Sequence, residues 1–477
     1  MDKSVSHQAV KGVMWSAVER FSVQGIQFVL SIIIARLVLP SEYGLIAMLG
    51  IFLAIAQTFV DSGFSNALIQ KKDRTEVDYS TVFYFNIGVA ILVYVLLYLA
   101  APFIGRFYSE PLLETVCRWV GLNVVLNSFT LVQRTRLIIS SDFRTLAKAS
   151  LISVIISGVV GVYFAWLGYG VWALVAQSLG NSLLNVIFLW AFVAWIPKKE
   201  FSLKSFRRLF SFGSKLLVGA LLHTIYLNLY TLVIGRFFNS TQVGYFNRSQ
   251  TFAVFPSSNL TEIVNRAMYP VLCERQGDDE ALIQAFFKYL RATVFWIFPL
   301  MIGLAVLSEP LIEMLLTDKW LSSAPLLSIL CVAYMWYPVM VFNWQLLNVK
   351  GRSDLSLRAE ILKKIVAFLI LFLSIAWGME AICWGLLLYS ISDMIIIFFF
   401  VRKIYRFDLR REFVALFPIL VCALLMGCGV YVASSFISSS LLKLVVGFLI
   451  GVLSYSILGF LFKLEEFDLV KQIIKRT

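Results

Sequence analysis

Five polar residues near the start of the chain, Ser16, Arg20, Gln24, Gln27 and Ser31, follow one another at steps of four, four, three and four. On a helix that spacing makes one stripe. The stripe reads either as hydrogen bonding between helices or as the wall of a polar cavity, and the cation Arg20 favours the cavity. A second set, Arg248, Asn259, Glu262 and Arg266, lies on the segment 243–270. Arg248 and Arg266 are 18 residues apart, five turns or about 27 Å, so they share a face near opposite ends of one helix. Glu262 and Arg266, at i and i+4, are spaced to pair, and Pro256 between the arginines should bend the segment. Neither Arg20 nor Arg248 has an acid three or four residues away. A guanidinium so placed can hold phosphate through two parallel hydrogen bonds. Arg20, Gln24, Gln27, Arg248, Asn259 and Arg266 are therefore the candidate substrate-binding residues. Three intramembrane acids, Asp61, Glu262 and Asp393, are candidates for ion coupling, with a cap or structural ion pair as the alternative. Asp393 reads as a lone acid. His223 with Tyr226 and Tyr230 forms a polar-aromatic stripe that is packed or cavity-lining. No catalytic set emerges: Glu110, Glu309, Glu313 and Asp318 lie on short connections without convergent spacing. No metal or cofactor is expected either. There are two histidines, and the six cysteines lack paired ligand spacing and read as buried thiols.

The elements that must position these residues are membrane spans. The 477 residues are 60% hydrophobic and 14% charged, against about 25% charged in soluble domains. Apolar runs of 18 or more recur where a barrel would alternate. The fold class is all-α and polytopic, with fourteen spans from 12–36 to 441–462, including 44–69, 114–138, 209–236, 243–270, 359–377 and 380–401. The first run contains Glu19 and Arg20 without a small-x-small cleavage pattern, so it reads as a span rather than a leader. The net charge of +13 comes from short loops and does not signal nucleic acid. Basic residues crowd alternate connections: Lys71, Lys72 and Arg74; Arg134, Arg136, Arg144 and Lys148; Lys198 to Arg208; Lys350 to Lys364; and Arg402 to Arg411. Basic loops stay in the cytoplasm, which places both termini there. No loop is long enough to form an extramembrane domain.

The chain also repeats itself. Ile34-Ala35-Arg36 precedes Gly44 as Ile234-Gly235-Arg236 precedes Gly244, an offset of 200. Pro102-Phe103-Ile104 parallels Pro310-Leu311-Ile312, and Ala165-Trp166 before Gly168 parallels Ala376-Trp377 before Gly378. The organisation expected is a six-helix bundle at 1–205, a related one at 206–405, and two further helices with a basic tail at 406–477. Parallel repeats of this kind occur in transporters that alternate access between bundles.

Certain motifs resemble a known family. Ala35-Arg36-Leu37 through Pro40, then Tyr43-Gly44-Leu45, is similar to a segment of bacterial polysaccharide flippases. So are Asp61-Ser62-Gly63-Phe64-Ser65-Asn66-Ala67-Leu68-Ile69-Gln70 and Gly244-Tyr245-Phe246-Asn247-Arg248-Ser249 with Arg266 and Pro270. Along essentially its whole length the chain resembles the Wzx-type polysaccharide transporters, in the branch of colanic-acid and teichuronic-acid exporters. Their superfamily also holds multidrug extruders and the lipid II flippase. The resemblance implies a bacterial inner-membrane flippase, not an enzyme, that carries a lipid-linked oligosaccharide from the cytoplasmic to the outer leaflet. It implies membrane lipids and a polysaccharide polymerase with its biosynthetic machinery as partners. Two other functions compete. A multidrug extruder should have an acidic cavity, whereas the strongest intramembrane charges here are Arg20, Arg248 and Arg266. A membrane glycosyltransferase or polymerase needs carboxylates converging at the outer face.

Overall fold

The computed structural model describes residues 22–61, 63–405 and 409–466, which are helical with no strand among them. Ten helical stretches are long and apolar enough to cross a membrane, or eleven when one bent pair is taken as a single span. The other three expected spans coincide with α1, described over Ser22–Leu37, and with α10 (Ser240–Glu274) and α15 (Ser353–Ile375), which are long enough but less apolar. α10 and α15 carry the polar and charged residues singled out above. The chain divides into two compact units, Met1–Gly244 and Tyr245–Thr477.

In the first unit, α1 is followed by α2 (Pro40–Asp61), α3 (Phe64–Gln70), α4 (Glu76–Tyr108), α5 (Leu112–Ser128), α6 (Leu131–Ile139), α7 (Phe143–Trp166), α8 (Val171–Phe192) and α9 (Leu203–Phe237). Two spans are broken. α2 gives way to α3 at Gly63, whose φ of 69° suits a residue without Cβ. A Cβ there would also fall 2.7 Å from the Gly213 carbonyl oxygen on α9. α5 and α6 meet at a 41° bend, where the Trp190 indole N–H donates to the Phe129 carbonyl at 3.0 Å. That bond satisfies an acceptor which would otherwise be unpaired in hydrocarbon. α7 and α8 form a hairpin. The buried face of α7 is small (Ser150, Ser153, Ser157, Gly158, Gly161, Ala165), the composition that lets membrane helices approach closely. α9, which the repeat reading puts at the head of the second bundle, packs on α2, α3 and α4.

The end of this unit that holds the basic connections is fastened by polar groups. Thr75 and Asp78 form a capping box on α4, and Lys71 reaches Asp78 at 2.5 Å. Glu76 accepts from Arg136 at 2.9 Å and from the Trp195 indole at 2.7 Å, while the Arg136 guanidinium lies 4.9 Å above the Tyr79 ring.

The second unit contains α11 (Asp279–Val306), α12 (Ser308–Leu316), a 3-10 turn at Asp318–Ser323, α13 (Ala324–Tyr334), α14 (Tyr337–Val349), α15, α16 (Met379–Val401), α17 (Leu409–Ser435) and α18 (Ser440–Leu461). α15 and α16 pair as a hairpin, and α13 and α14 pack on α16. The last two helices pair with each other and lie on α11. Tyr455 donates to the Phe295 carbonyl at 2.8 Å, and Arg291 holds Glu466 through two bonds of 2.6 and 3.2 Å. The tryptophans at the two hairpin turns, Trp166 and Trp377, are 71% and 83% exposed.

Candidate functional site

In the first unit the polar side chains of five helices meet. Gln57 on α2 donates to Asp61 at 3.0 Å and accepts from Asn127 on α5 at 3.2 Å. Thr58 shares a 3.1 Å hydrogen bond with Thr224 on α9, and Asn228 donates to the Thr224 carbonyl at 2.9 Å. Asn123 on α5 donates to Ser178 on α8 at 2.9 Å. Arg134 on α6 donates to Asn185 on α8 at 3.2 Å and lies within electrostatic reach of Asp61. The belt follows from local structure. Asp61 ends α2 where the helix breaks, and Asn127 and Arg134 flank the bend between α5 and α6. Discontinuous spans with polar groups at the break are how transporters build ligand sites inside a bilayer. Both Asp61 and Arg134 are exposed side chains.

The other predicted residues separate. Arg20 and Ser16 lie outside the described residues. Gln24 is half-buried, its buried amide oxygen without a partner among the described residues, and Gln27 is exposed. In the second unit Arg248 is buried, at 6% exposure. On the same helix Ser249 donates to the Ser323 carbonyl at 2.8 Å, Gln250 to the Tyr334 hydroxyl at 2.9 Å, and Ser257 to the Tyr334 carbonyl at 2.7 Å. Asn259 spends its amide on the Phe255 carbonyl at 2.8 Å. α10 runs as one helix through Pro256 and Pro270. Glu262 is half-buried within electrostatic reach of Tyr337, Arg266 is exposed, and among the described residues no ion pair joins the two. His223 is exposed and Tyr230 buried on α9.

Asp393 is not a lone acid. It sits on α16, buried, with the ammonium of Lys363 from α15 at 3.0 Å. Lys363 also meets Glu360 at 3.1 Å, and Lys364 meets Glu360 at 3.4 Å. The cluster neutralises itself across a helix hairpin, so Asp393 has a structural partner that its own helix could not reveal. The belt residues largely escaped the sequence reading, Asn127, Arg134 and Asn185 among them, and so did Glu412 in the second unit. Arg134 was counted with a basic connection; the polar run Thr130, Gln133, Arg134 inside an apolar segment was the available signal. Glu412, buried at the start of α17, accepts from Asn343 at 2.7 Å, and its second oxygen has no partner among the described residues. In the sequence it directly follows Arg410 and Arg411, where a basic connection masks a single acid. Four cysteines are buried thiols as expected, Cys273 is half-buried and Cys428 is exposed. Among the described residues no cluster of metal-ligating side chains occurs.

A many-span helical bundle with a polar belt at its broken helices is a membrane transporter fold. Superposition agrees: the structure matches the lipid II flippase MurJ in an inward closed conformation with a TM-score of 0.77 at 15% identity, over 96% of this chain and 100% of that one. An inward-facing multidrug resistance transporter of the MATE family gives 0.54 at 15% identity, over 79% and 94%. The chain belongs to the family described as polysaccharide biosynthesis protein, whose pattern it matches over residues 33–325. It is 26% identical to the teichuronic acid biosynthesis protein TuaB of Bacillus subtilis, over 88% of each chain. It is 27% identical to the lipopolysaccharide biosynthesis protein WzxC of Escherichia coli, over 84% of this chain and 82% of the relative.

Proposed function

We propose that the protein flips a lipid-linked oligosaccharide, a polysaccharide repeat unit, from the cytoplasmic to the outer leaflet by alternating access. The bundles 1–205 and 206–405 are its moving parts. The observation that carries this reading is the belt running from Asp61 through Gln57 to Asn127, with Arg134 and Asn185 beside it. Amides and hydroxyls can replace the hydration of a sugar, and a guanidinium can replace that of a pyrophosphate, while the lipid tail stays in the bilayer. A catalytic function would need converging acids or a nucleophile, and the belt offers hydrogen-bond donors and acceptors instead. The natural partners are membrane lipids and the polymerase that consumes the flipped unit.

The test is the sidedness of the lipid-linked sugar. A strain lacking the gene is expected to accumulate it on the inner leaflet, with surface polysaccharide restored by the native chain. Arg248→Ala and Arg20→Ala, at matched membrane abundance, should restore it poorly, and the lysine versions partly. Unchanged sidedness in the deletion strain would refute the flippase reading.

Both termini are cytoplasmic in this proposal, and the protein lies in the inner membrane. Asn239, exposed between α9 and α10, is then on the outer side. An Asn239→Cys variant without native thiols is expected to react with a membrane-impermeant maleimide added outside. Reaction only after the cytoplasmic face is opened would invert the topology.

A further inference from the structure

Two corners of the first unit are built alike. α1 ends at Leu37 and α2 begins at Pro40; α9 ends at Phe237 and α10 begins at Ser240. Each pair of positions is 200 apart. Val38 N–H donates to the Ile34 carbonyl at 2.9 Å, and Phe238 N–H donates to Ile234 at 2.9 Å. The two corners also touch reciprocally. A Cβ on Gly44 would lie 1.7 Å from the carbonyl oxygen of Ser240, and a Cβ on Gly244 would lie 2.0 Å from that of Pro40. The same Gly44 Cβ would be 3.1 Å from the Gly244 nitrogen. Space remains only for hydrogen, so the Cα–H of each glycine abuts the carbonyl of the other strand of the contact. No side chain lies between the helices at this point. Such a joint holds by close backbone approach rather than by interlocked side chains.

We propose that this glycine clasp closes the outer end of the transport path and must open for the substrate to leave. Its placement at that end rests on the topology and transporter reading given above; its geometry does not. α2 and α10 enter the contact by their first turns, while α10 continues from Gly244 into the second unit. Any side chain at 44 or 244 holds them apart. Gly44→Ala and Gly244→Ala are accordingly expected to populate an open end and to lose the closed one.

The measurement is a distance. Spin labels on Leu37→Cys and Phe237→Cys, both exposed, flank the clasp. They are read by double electron–electron resonance on the full chain in nanodiscs, with the six native cysteines replaced. With glycine at both positions a single short distribution is expected; with either alanine, a longer population should become the majority. An unchanged distribution in folded alanine variants would overturn the proposal. A second arm keeps glycine at both positions. A short, reducible bifunctional thiol reagent joining residues 37 and 237 should abolish export of lipid-linked sugar, and reduction should restore it. Export by the cross-linked protein would also overturn the proposal, and this arm decides if the alanine variants do not accumulate. The distance arm needs no substrate, so a longer distance in the alanine variants supports the clasp even if the flippase assignment fails.

Discussion

Lys363→Met is expected to remove most of the protein from the membrane, whereas Asp393→Asn leaves a substantial fraction. Lys363 is the only cation within 4 Å of Asp393 among the described residues, and both are buried. Removing the ammonium leaves a carboxylate in a low-dielectric hairpin, a cost of about 3–5 kcal/mol when a buried pair is broken from one side. That is a large part of a typical total stability of about 5–15 kcal/mol. Removing the acid is milder because Lys363 keeps Glu360 at 3.1 Å. The 3.0 Å contact is not aligned as a hydrogen bond at the Asp393 Oδ1 atom, so charge attraction dominates it. A Lys363→Met, Asp393→Leu double variant removes both charges and should recover abundance. Quantitative immunoblots of membranes and thermal stability in detergent measure all three. Wild-type abundance of Lys363→Met would show that the pair contributes little.

Arg134→Ala should behave in the opposite way: normal abundance and poor export. Arg134 is exposed and donates to Asn185 at 3.2 Å, and substitution of an exposed side chain changes stability little. As a ligand group for phosphate it contributes charge-assisted hydrogen bonds, about 1.5–3 kcal/mol together, or roughly 10- to 100-fold in transport at limiting substrate. Arg134→Lys should be intermediate, since a lysine keeps the charge and loses the fork. Surface polysaccharide yield at matched abundance gives the result. Full export by Arg134→Ala would remove Arg134 from the path and leave the uncharged part of the belt as the candidate.

The sequence carried the fold class because spans announce themselves by length and apolarity, properties local to the chain. It carried the corners at 34–44 and 234–244 because repeated turns repeat their residues. It did not reveal the breaks in two spans. Gly63 lies in Asp61-Ser62-Gly63 and the second bend in Asn127-Ser128-Phe129-Thr130, polar stretches that read equally well as helix ends or as polar groups on an unbroken span. Nor did it reveal partners. Asp393 read as solitary because Lys363 belongs to another helix, and a spacing rule sees only i±3 and i±4 neighbours. Arg134 was lost for a related reason: a basic residue near a loop looks like an orientation signal whether it faces water, lipid heads or a hollow. Gln24, Arg248 and Asn259 stand out in the sequence because each is polar in an apolar run. Placement then distinguishes them, one half-buried, one buried and one bonded to its own helix.

The exposed tryptophans at the hairpin turns bear on the lipid itself. Trp166 ends a helix of 24 residues and Trp377 precedes one of 23, lengths of about 36 and 35 Å at 1.5 Å per residue. The hydrocarbon of a common bilayer is about 30 Å thick. Indoles settle at the boundary between hydrocarbon and head groups, so these two rings pin their hairpins at a fixed depth. The remaining few ångströms are absorbed by tilt or by local thickening, each at a fraction of a kcal/mol per ångström. A change in lipid chain length is therefore met first at these two hairpins, by a change in their tilt or in the thickness of the lipid around them.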